Sequence, residues 1–490
     1  MASEHPGSGA RSVVVVGSGA AGLVAGLEAY RAGARVCVIE KENRLGGNSA
    51  KATSGINGAE TKAQAHEHVG DSVERFVADI IKSGGGKADP ALAMQLGAGS
   101  SGALAVLEDL GVDMSILSQC GGHTAPRTHR PAVVPGKKPV NLGIEIIAAF
   151  QQFFNRPEVK SMVTIKSNSR VTQLIHEGGA VKGVCIEIAG DKDSAGSCCS
   201  EEIRADSVIL ATGGFSASKE LLKRFTPHLA HLPTTNGPFA LGEGILLGES
   251  VGACLRMMDV VQIHPTGFVD PKDVDSQAKW LAPEAFRASG GLLLGVDGRR
   301  FVNELSYRDV VTAAIFKHGK VLKLPDGRDG NTVAHLILND AACEKFPIAG
   351  IYKLKGFVQT FANASELAEH IDVEPQVIWE TLVAYNEAAA GGVDPFGKVT
   401  FPTPVGTTET LHHMLVTPSL HYTIGGLAIN SDAQVLNNQG EIIPGLYAAG
   451  EVTGGVHGAN RLAGNGLLDN LVFGRQAGTH AGSAPSAQRG

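Results

Sequence analysis

The chain has 490 residues, of which 43% are hydrophobic, 19% are charged and 63 are glycine. This composition excludes a mostly disordered chain, and the lack of a three-residue glycine period excludes collagen. The net charge of −7, without a basic block, predicts no nucleic-acid partner. No apolar run reaches the roughly 20 residues that cross a bilayer, which predicts no membrane span.

The cysteines and the chain ends bear on the compartment. Seven cysteines without disulfide, haem or iron–sulfur spacing predict reduced thiols inside a cell. Residues 1–11 lack an apolar signal core, and residues 483–490 carry no peroxisomal or endoplasmic-reticulum signal. We therefore predict a soluble intracellular protein, with the cytoplasm as the first expectation and an organelle left open. His66 and His68 are too close in sequence to face one metal ion on a helix, so no metal site is predicted.

The first predicted unit is a strand, a glycine turn, a helix and a second strand. Residues 12–16 form a β-branched run, and a Gly-Ser-Gly-Ala-Ala-Gly motif and a helix-forming segment follow. Gly17 permits the tight turn, Gly19 lets the backbone approach a pyrophosphate, and Gly22 lets helix and strand pack closely. Glu40 ends the second strand, where a carboxylate can accept from ribose hydroxyls. The complete unit predicts dinucleotide binding at the helix start.

A second Gly-x-Gly-x-x-Gly occurs at residues 97–102 in a different setting. It follows a helix-forming segment instead of a strand, and leucines at 104, 107 and 110 continue the helical spacing. The motif therefore predicts small residues on packed helices. No second nucleotide domain, such as one for NADH, is expected.

The segment 42–58 indicates which dinucleotide is bound. A paired glycine follows the ribose acid, and small and hydroxyl residues come next, as suits a loop that wraps a flavin. Together with the stretches 207–215, 445–455 and 456–466, it resembles the FAD-dependent fumarate reductase and succinate dehydrogenase superfamily, in particular its soluble fumarate reductases. These stretches are spread over most of the chain.

The resemblance implies FAD as the cofactor. In the membrane-bound dehydrogenases a histidine of the early loop bonds covalently to the flavin, and Asn48 stands at that position here, so non-covalent FAD is expected. Glu451 matches a residue at the adenosine ribose or linker, and amides of the last helix are expected at the flavin N1/O2 edge. The expected cofactor-binding residues are Gly17, Gly19, Ala20, Ala21, Gly22, Glu40, Lys41, Gly46, Gly47, Asn48, Ser49, Ser54, Gly55, Ala211, Thr212, Gly213, Gly450, Glu451, Asn465 and Leu467.

The resemblance also implies an α/β fold, in which a Rossmann-like FAD-binding domain carries an inserted α+β capping domain. Residues 1–259 and 421–490 are expected to form the FAD-binding domain, and residues 260–420 the capping domain that closes over the flavin. Four stretches in family order carry this match: 261–267, 281–287, 299–309 and 420–426.

Side chains suited to a four-carbon dicarboxylate occur in these stretches. Its two negative charges must be desolvated and paired, for which arginine gives bidentate geometry and histidine adds donors. The resemblance places Arg461 and His421 at one carboxylate and His264 at the other. Polarising that second carboxylate makes the double bond electrophilic towards hydride from the reduced flavin N5.

The resemblance places the proton donor at Arg308 and its proton relay at Glu284 and Arg287. Arginine is an unusual acid because its pKa lies above about 12, far from the working pH. Rapid reprotonation through neighbours makes the role workable, and the i, i+3 spacing of Glu284 and Arg287 puts both on one helix face. Pro283 stands where bacterial enzymes of the family often have a hydroxyl residue, so one substrate hydrogen bond is expected to be missing or supplied elsewhere.

We therefore predict a soluble FAD-dependent oxidoreductase that reduces fumarate to succinate. Its electrons come from an external donor, such as reduced free flavin or a partner reductase. The alternative is an aspartate oxidase, a urocanate reductase or a ketosteroid dehydrogenase of the same fold, expected to lack one of His264, His421 or Arg461. A non-catalytic flavin electron carrier is the last alternative, although it would have no use for the proton relay.

Overall fold

The structure of the protein, a computed structural model, describes residues 10–132, 141–192, 198–346 and 348–483. The ends on which the localisation prediction depends fall largely in residues 1–9 and 484–490, outside the described residues. The strands are β1 (Ser12–Val16), β2 (Arg35–Ile39), β3 (Ile56–Asn57), β4 (Ile116–Ser118), β5 (Thr128–Arg130), β6 (Val163–Lys166), β7 (Ser169–Glu177), β8 (Ala180–Lys192), β9 (Cys198–Arg204), β10 (Ser207–Leu210), β11 (Leu255–Arg256), β12 (Val261–Phe268), β13 (Leu292–Leu294), β14 (Lys320–Lys323), β15 (Asp329–Asn339), β16 (Gln359–Phe361), β17 (Leu411–Thr423), β18 (Gly426–Ala428), β19 (Gln434–Leu436), β20 (Ile442–Ala448) and β21 (Thr453–Gly454).

The α-helices are α1 (Ala20–Arg31), α2 (Lys62–His66), α3 (Val73–Ser83), α4 (Pro90–Ala98), α5 (Ser100–Asp109), α6 (Leu142–Phe154), α7 (Pro157–Lys160), α8 (Lys219–Phe225), α9 (Glu243–Ser250), α10 (Glu284–Ala288), α11 (Arg308–His318), α12 (Asp340–Glu344), α13 (Ala349–Leu354), α14 (Ala364–His370), α15 (Pro375–Ala389) and α16 (Asn465–Ser483). Short 3-10 helices occupy Gly47–Lys51 and Pro227–Leu229.

A six-stranded sheet forms the centre of the fold, in the order β19-β20-β10-β1-β2-β6. All its pairings are parallel except that of β19, which is antiparallel at one edge. The apolar runs of β1 and β10 are buried, as expected for parallel strands covered on both faces. The predicted strand, glycine turn, helix and strand are confirmed as β1, α1 and β2, and the α/β fold class is confirmed with them.

Helices α1 and α16 pack against each other beside this sheet. A Cβ on Gly474 would collide with the carbonyl oxygen of Ala21, and a Cβ on Gly478 would collide with that of Ala25. The glycines of α16 therefore let the two helices approach closely. The residue numbers of the contacting positions rise together along the two helices. The helices therefore run parallel and begin at the same end of the sheet.

A second sheet is formed by residues 261–423, in the order β12-β17-β15-β13, with β14 on β15 and β16 on β17. Its strand pairs are antiparallel. Two apolar cores lie around this sheet and helices α10–α15, apart from the larger core of the central sheet. β17 runs through the boundary expected between residues 420 and 421 and carries His421 and Tyr422 at its end.

The second glycine motif is helical, as predicted: it lies in α4 and α5. Residues 90–109, which these helices span, are long and apolar enough to cross a membrane, with a mean hydropathy of 1.2. The sequence prediction did not recognise this stretch. Core helices satisfy the same criteria, and half of the stretch is buried inside the fold.

Candidate active site

A cavity of about 620 Å³ lies at the carboxyl ends of β1, β2 and β10, where open α/β sheets bind their ligands. Its walls also include the loops 47–55 and 235–240 and the segment 278–281 of the second sheet's region. The expected cofactor-binding residues that line it are Gly17, Gly19, Ala21, Glu40, Lys41, Gly47, Asn48, Ser49, Ser54, Gly55, Ala211, Thr212, Gly213, Glu451 and Leu467. The other five expected cofactor-binding residues do not line the cavity: Ala20, Gly22, Gly46, Gly450 and Asn465.

The turn after β1 requires glycine for steric reasons. Gly17 has a φ of +101°, and a Cβ there would lie 2.5 Å from the carbonyl oxygen of Ala211. A Cβ on Gly22 would collide with the carbonyl oxygen of Gly17. The bare backbone of this turn can therefore come close to a ligand in the cavity.

Helix α1 begins at the cavity with unused backbone donors. In the described part of the chain, no side chain caps Gly19, and the first turn of α1 holds no acidic residue. One amide, that of Ala20, donates to Ser49 Oγ at 3.0 Å and so ties the early loop to the helix. The remaining amides and the helix dipole give this end the positive character that a pyrophosphate needs.

Glu40 holds the glycine turn as well as lining the cavity. Its Oε2 accepts from Ser18 N at 3.0 Å, and its Oε1 accepts from Glu42 N at 2.9 Å. The side chain is therefore fixed at the end of β2, between the turn and the following segment. The sequence predicted a ribose ligand here but gave no sign of this bracing role.

Lys41 and Asn48 connect the early loop to the segment 237–243. Lys41 Nζ donates to Phe239 O at 2.9 Å and pairs with Glu243. Asn48 Oδ1 accepts from Gly237 N at 2.9 Å. Two cavity walls that are far apart in sequence are therefore joined by polar contacts.

Two buried polar atoms, Thr212 Oγ1 in the cavity lining and Asn465 Nδ2 between the lining residues Gly464 and Gly466, have no hydrogen-bond partner among the described residues. Asn465 is the first residue of α16, and its Oδ1 accepts from Asn57 Nδ2 at 2.6 Å. An unpaired buried polar group costs about 1–3 kcal/mol, so these atoms indicate a polar partner in the working protein. Together with the glycine turn after β1 and the N-terminus of α1, these two unpaired atoms suit the binding of FAD.

Glu451 lines the cavity beside Thr423. Its Oε1 accepts from Thr423 N at 2.9 Å and from Thr423 Oγ1 at 3.2 Å. Burial raises the pKa of Glu451 to about 7, although these hydrogen bonds oppose the change. Near neutral pH the carboxyl group can therefore donate to a cofactor oxygen or accept from a cofactor hydroxyl.

Two of the three expected substrate-binding residues line this cavity, and the third lies next to one of them. His421 and Arg461 line it, together with Arg308 from the start of α11. His264 stands next to His421, with 5.0 Å between the ring centroids. Burial, followed by the charge of Arg308, keeps the pKa of both histidines well below the usual value. Both rings are therefore neutral donors or acceptors at working pH.

The tautomer of His264 follows from its contacts. Thr266 N donates to His264 Nδ1 at 3.2 Å, so the proton of the neutral ring lies on Nε2. That Nε2 is buried and has no partner in the part of the chain that the structure describes. A buried N–H without an acceptor is suited to a ligand carboxylate.

Arg461 also has unused hydrogen-bond donors. It is 4% exposed, Nη1 donates to Leu462 O at 3.4 Å, and Nε has no partner within the described ranges. Burial, followed by the charge of Arg308, lowers the pKa of Arg461 to about 10. A buried guanidinium with free donors needs an anion, and a carboxylate matches its geometry.

Arg308, Glu284 and Arg287 form a buried chain of ion pairs. Arg308 Nε donates to Glu284 Oε2 at 3.0 Å, and Arg287 Nη2 lies 3.7 Å from the same oxygen. Gly121 N holds the other oxygen, Oε1, at 2.9 Å. Glu284 and Arg287 share helix α10, with the i, i+3 spacing on which the relay prediction relied.

The electrostatics of this chain suit proton exchange. Burial would raise the pKa of Glu284, but Arg308 and Arg287 hold it below its usual value. Burial lowers the pKa of Arg287, although the Glu284 carboxylate opposes the change. Both effects arise because the groups share one buried site, where each charge depends on the others.

Gln262 and Thr235 complete the site and were not predicted. Gln262 Oε1 accepts from Arg308 Nη1 at 2.8 Å, and its Nε2 donates to Arg461 O at 2.7 Å. Thr235 Oγ1 lies 2.8 Å from His421 Nδ1. Gln262 precedes His264 by two residues in β12, so strand alternation could have revealed it, whereas nothing in the sequence pointed to Thr235.

The described residues contain no group of three or more His, Cys, Asp or Glu side chains that could hold a metal ion.

Comparisons with known proteins show the family to which the chain belongs. The FAD binding domain family matches residues 12–467. The chain is 40% identical to a fumarate reductase of Schizosaccharomyces pombe, over 96% of this chain and 89% of the relative. It is 39% identical to fumarate reductase 1 of Saccharomyces cerevisiae, over 95% of this chain and 97% of that protein.

A solved structure shares the fold. The open conformation of a flavocytochrome c3 fumarate reductase superposes with a TM-score of 0.73 and 33% identity, covering 97% of this chain and 79% of that one. The predicted resemblance and the predicted FAD cofactor are thereby confirmed. The chain belongs to the FAD binding domain family, and within it to the group of the fumarate reductases.

Proposed function

We propose that this protein is an FAD-dependent fumarate reductase, an oxidoreductase acting on a CH–CH bond. The observation that carries the proposal is the convergence of free donors on Arg461 and His264 with the Arg308–Glu284 ion pair at the cofactor cavity. The fumarate reductases among its relatives support the same substrate.

FAD, when bound in its reduced form, supplies the hydride. The glycine turn and the start of α1 would hold its pyrophosphate, Glu40 would accept from ribose hydroxyls, and Glu451 would bind a cofactor hydroxyl or, when protonated, a cofactor oxygen. Asn48 has an amide that is not a nucleophile, unlike an imidazole nitrogen, so we propose that the cofactor is held without a covalent bond.

The chain's own side chains bind and polarise the dicarboxylate. Arg461 and His421 take one carboxylate, and the Nε2–H of His264 takes the other. Because His264 is neutral, it withdraws electron density by a hydrogen bond without giving up its proton. This polarisation makes the adjacent double bond electrophilic at the carbon that receives hydride.

Arg308 delivers the proton to the opposite carbon. Its guanidinium is already bonded to Glu284 and Gln262, which fix its direction. Glu284 returns the proton, and Arg287 in turn supplies Glu284. The role is possible because this buried chain restores the charged form of Arg308 after each turnover.

The proposal also includes the electron donor, the capping domain and the cellular compartment. We propose an external donor, such as reduced free flavin or a partner reductase. Residues 260–420 would act as the capping domain. This segment contains Arg308, Glu284 and His264, whereas the glycine turn that would hold the flavin cofactor lies outside it. Cysteine usage favours a soluble intracellular protein, with the cytoplasm first and an organelle left open.

A steady-state assay tests the function. FAD-loaded protein is mixed anaerobically with reduced methyl viologen, and its oxidation is followed with fumarate, urocanate or an unsaturated 3-ketosteroid present. Aspartate, which can only donate electrons, is tested in a separate mixture with an oxidised dye as acceptor. We expect fumarate-dependent oxidation that Arg308→Met lowers by about 10²–10⁴-fold and that the surface variant Arg299→Gln leaves unchanged. Turnover with another substrate but not fumarate would replace the proposed substrate, and no turnover at all would favour an electron carrier.

A further inference from the structure

Tyr422 lies with its ring against the guanidinium of Arg461. The Arg461 Cζ is 4.5 Å from the ring centroid, and both side chains are almost fully buried. A cation over an aromatic face is attracted to it, and the attraction is stronger where water is excluded. The stack occupies one face of the guanidinium and leaves its N–H edge for a carboxylate.

The far end of Tyr422 is fixed by a buried acid. Its hydroxyl donates to Asp469 Oδ2 at 2.5 Å, and His457 Nε2 lies 3.3 Å from the same oxygen. Asp469 is 1% exposed and belongs to α16, the helix that packs along α1. The ring therefore has a rigid support, and donation to a carboxylate enriches the ring in electrons, which strengthens its hold on a cation.

Gly466 leaves room for the stack. A Cβ there would lie 3.3 Å from Arg461 Nη1 and 3.5 Å from Tyr422 Cε2. Arg461, Tyr422, Gly466 and Asp469 thus form one unit, in which the helix start, the ring and the guanidinium have fixed relative positions.

We propose that Tyr422, held by Asp469, is a positioning residue that presents Arg461 to the substrate carboxylate and sets the affinity for dicarboxylates. The inference rests on the proposed function. Tyr422 also lines the cavity, but the proton relay lies on α10 and α11, and its own contacts run to Arg461, Asp469 and His457, so we expect it to act through Arg461. Loss of the ring should therefore weaken binding and leave the chemical step intact.

The test compares Tyr422→Leu, which removes ring and hydroxyl, with Tyr422→Phe, which keeps the ring. FAD-loaded proteins are titrated with succinate by calorimetry, and KM and kcat for fumarate are measured. In Tyr422→Leu we expect Kd and KM to rise about 5- to 30-fold, with kcat within about threefold. In Tyr422→Phe, which keeps the ring but loses its support from Asp469, both constants should lie between those of wild type and those of Tyr422→Leu. Tyr422→Met, a second variant without a ring, replaces Tyr422→Leu if that protein does not fold.

The outcomes separate the inference from the function on which it rests. Equal Kd and KM in the ringless and Phe variants, or a fall in kcat without a rise in KM, would overturn the positioning role. Wild-type protein that neither binds succinate nor reduces fumarate would overturn the proposed function, and the role of Arg461 with it.

Discussion

Arg308 and Glu284 are joined by a buried hydrogen bond, in which Arg308 Nε donates to Glu284 Oε2 at 3.0 Å. The first residue of α11 is thereby tied to the first residue of α10. An arginine at the cavity, which would be a poor acid alone, has a carboxylate in direct contact that can return its proton.

Glu284→Gln tests this connection. The glutamine keeps the size of the side chain and can accept from Gly121 N, but it cannot carry a proton between Arg287 and Arg308. We expect kcat for fumarate to fall by roughly 10²-fold, with KM within about threefold. The measurement is steady-state kinetics, with a variant of an exposed residue, Glu380→Gln, as the control. An unchanged kcat in Glu284→Gln would show that Glu284 is not part of the proton relay.

Gln262→Met tests the link between the two arginines. Methionine fills the same volume but gives up the bonds to Arg308 Nη1 and Arg461 O, leaving a buried donor unpaired. We expect kcat to fall about tenfold and KM to rise a few-fold, because both arginines lose a fixed contact. If both parameters stay at the wild-type values, Gln262 only fills space.

Gly22→Ala tests the steric account of the glycine turn. The new methyl group would collide with the carbonyl oxygen of Gly17, and backbone cannot move aside cheaply. We expect the free energy of unfolding to fall by about 3 kcal/mol or more, with loss of bound FAD.

The matched control is Gly350→Ala in α13, where a Cβ meets nothing within 4 Å. It should be neutral or slightly stabilising in the same urea titration, since alanine favours a helix. A Gly22 variant as stable as this control, with full FAD content, would contradict the close packing of turn and helix.

The pH dependence of stability follows from the buried histidines. Among the residues that the structure describes, seven histidines have pKa values held below the usual value, with burial as the largest cause: His123, His129, His264, His335, His413, His421 and His457. The unfolded chain takes up protons below about pH 6.5 where the folded protein does not, so the free energy of unfolding falls as the pH falls.

His335 offers the sharpest check of this effect. Burial, with nearby His370 and Lys320, lowers the pKa of His335 to about 4. Between pH 6.5 and 4 this residue alone should cost up to about 3 kcal/mol of stability. Urea denaturation should show a smaller acid loss in His335→Leu than in wild type, and no change in His66→Gln, where the side chain is exposed. Equal acid loss in all three proteins would contradict the assignment.

Release of the cofactor tests the role of Asn48. Acid precipitation should leave the FAD in the supernatant, because no histidine stands at this position to form a covalent bond. Flavin that stays with the pellet, seen by its fluorescence in a denaturing gel, would contradict the non-covalent assignment.

Local patterns in the sequence predicted the unit β1–α1–β2 and the pair α4–α5, because hydrophobic spacing and glycine position act within a few residues. The spacing of Glu284 and Arg287 likewise predicted a shared helix face. The remaining contacts depend on segments far apart in sequence. Gln262 bonds Arg461, which lies 199 positions away, and Tyr422 meets Asp469 across 47 positions. No local rule contains such pairings, since they arise only when β12, β17 and α16 are brought together.

The most direct test of the central claim is anaerobic stopped-flow spectroscopy of the FAD-loaded protein. Its flavin is first reduced with dithionite and then mixed with fumarate, and flavin absorbance is followed. We predict rapid return of the oxidised spectrum in wild type, with succinate formed in equal amount, and a reaction slower by about 10²–10⁴-fold in Arg308→Met. A reduced flavin that fumarate does not reoxidise, or an equal rate in the two proteins, would contradict this prediction.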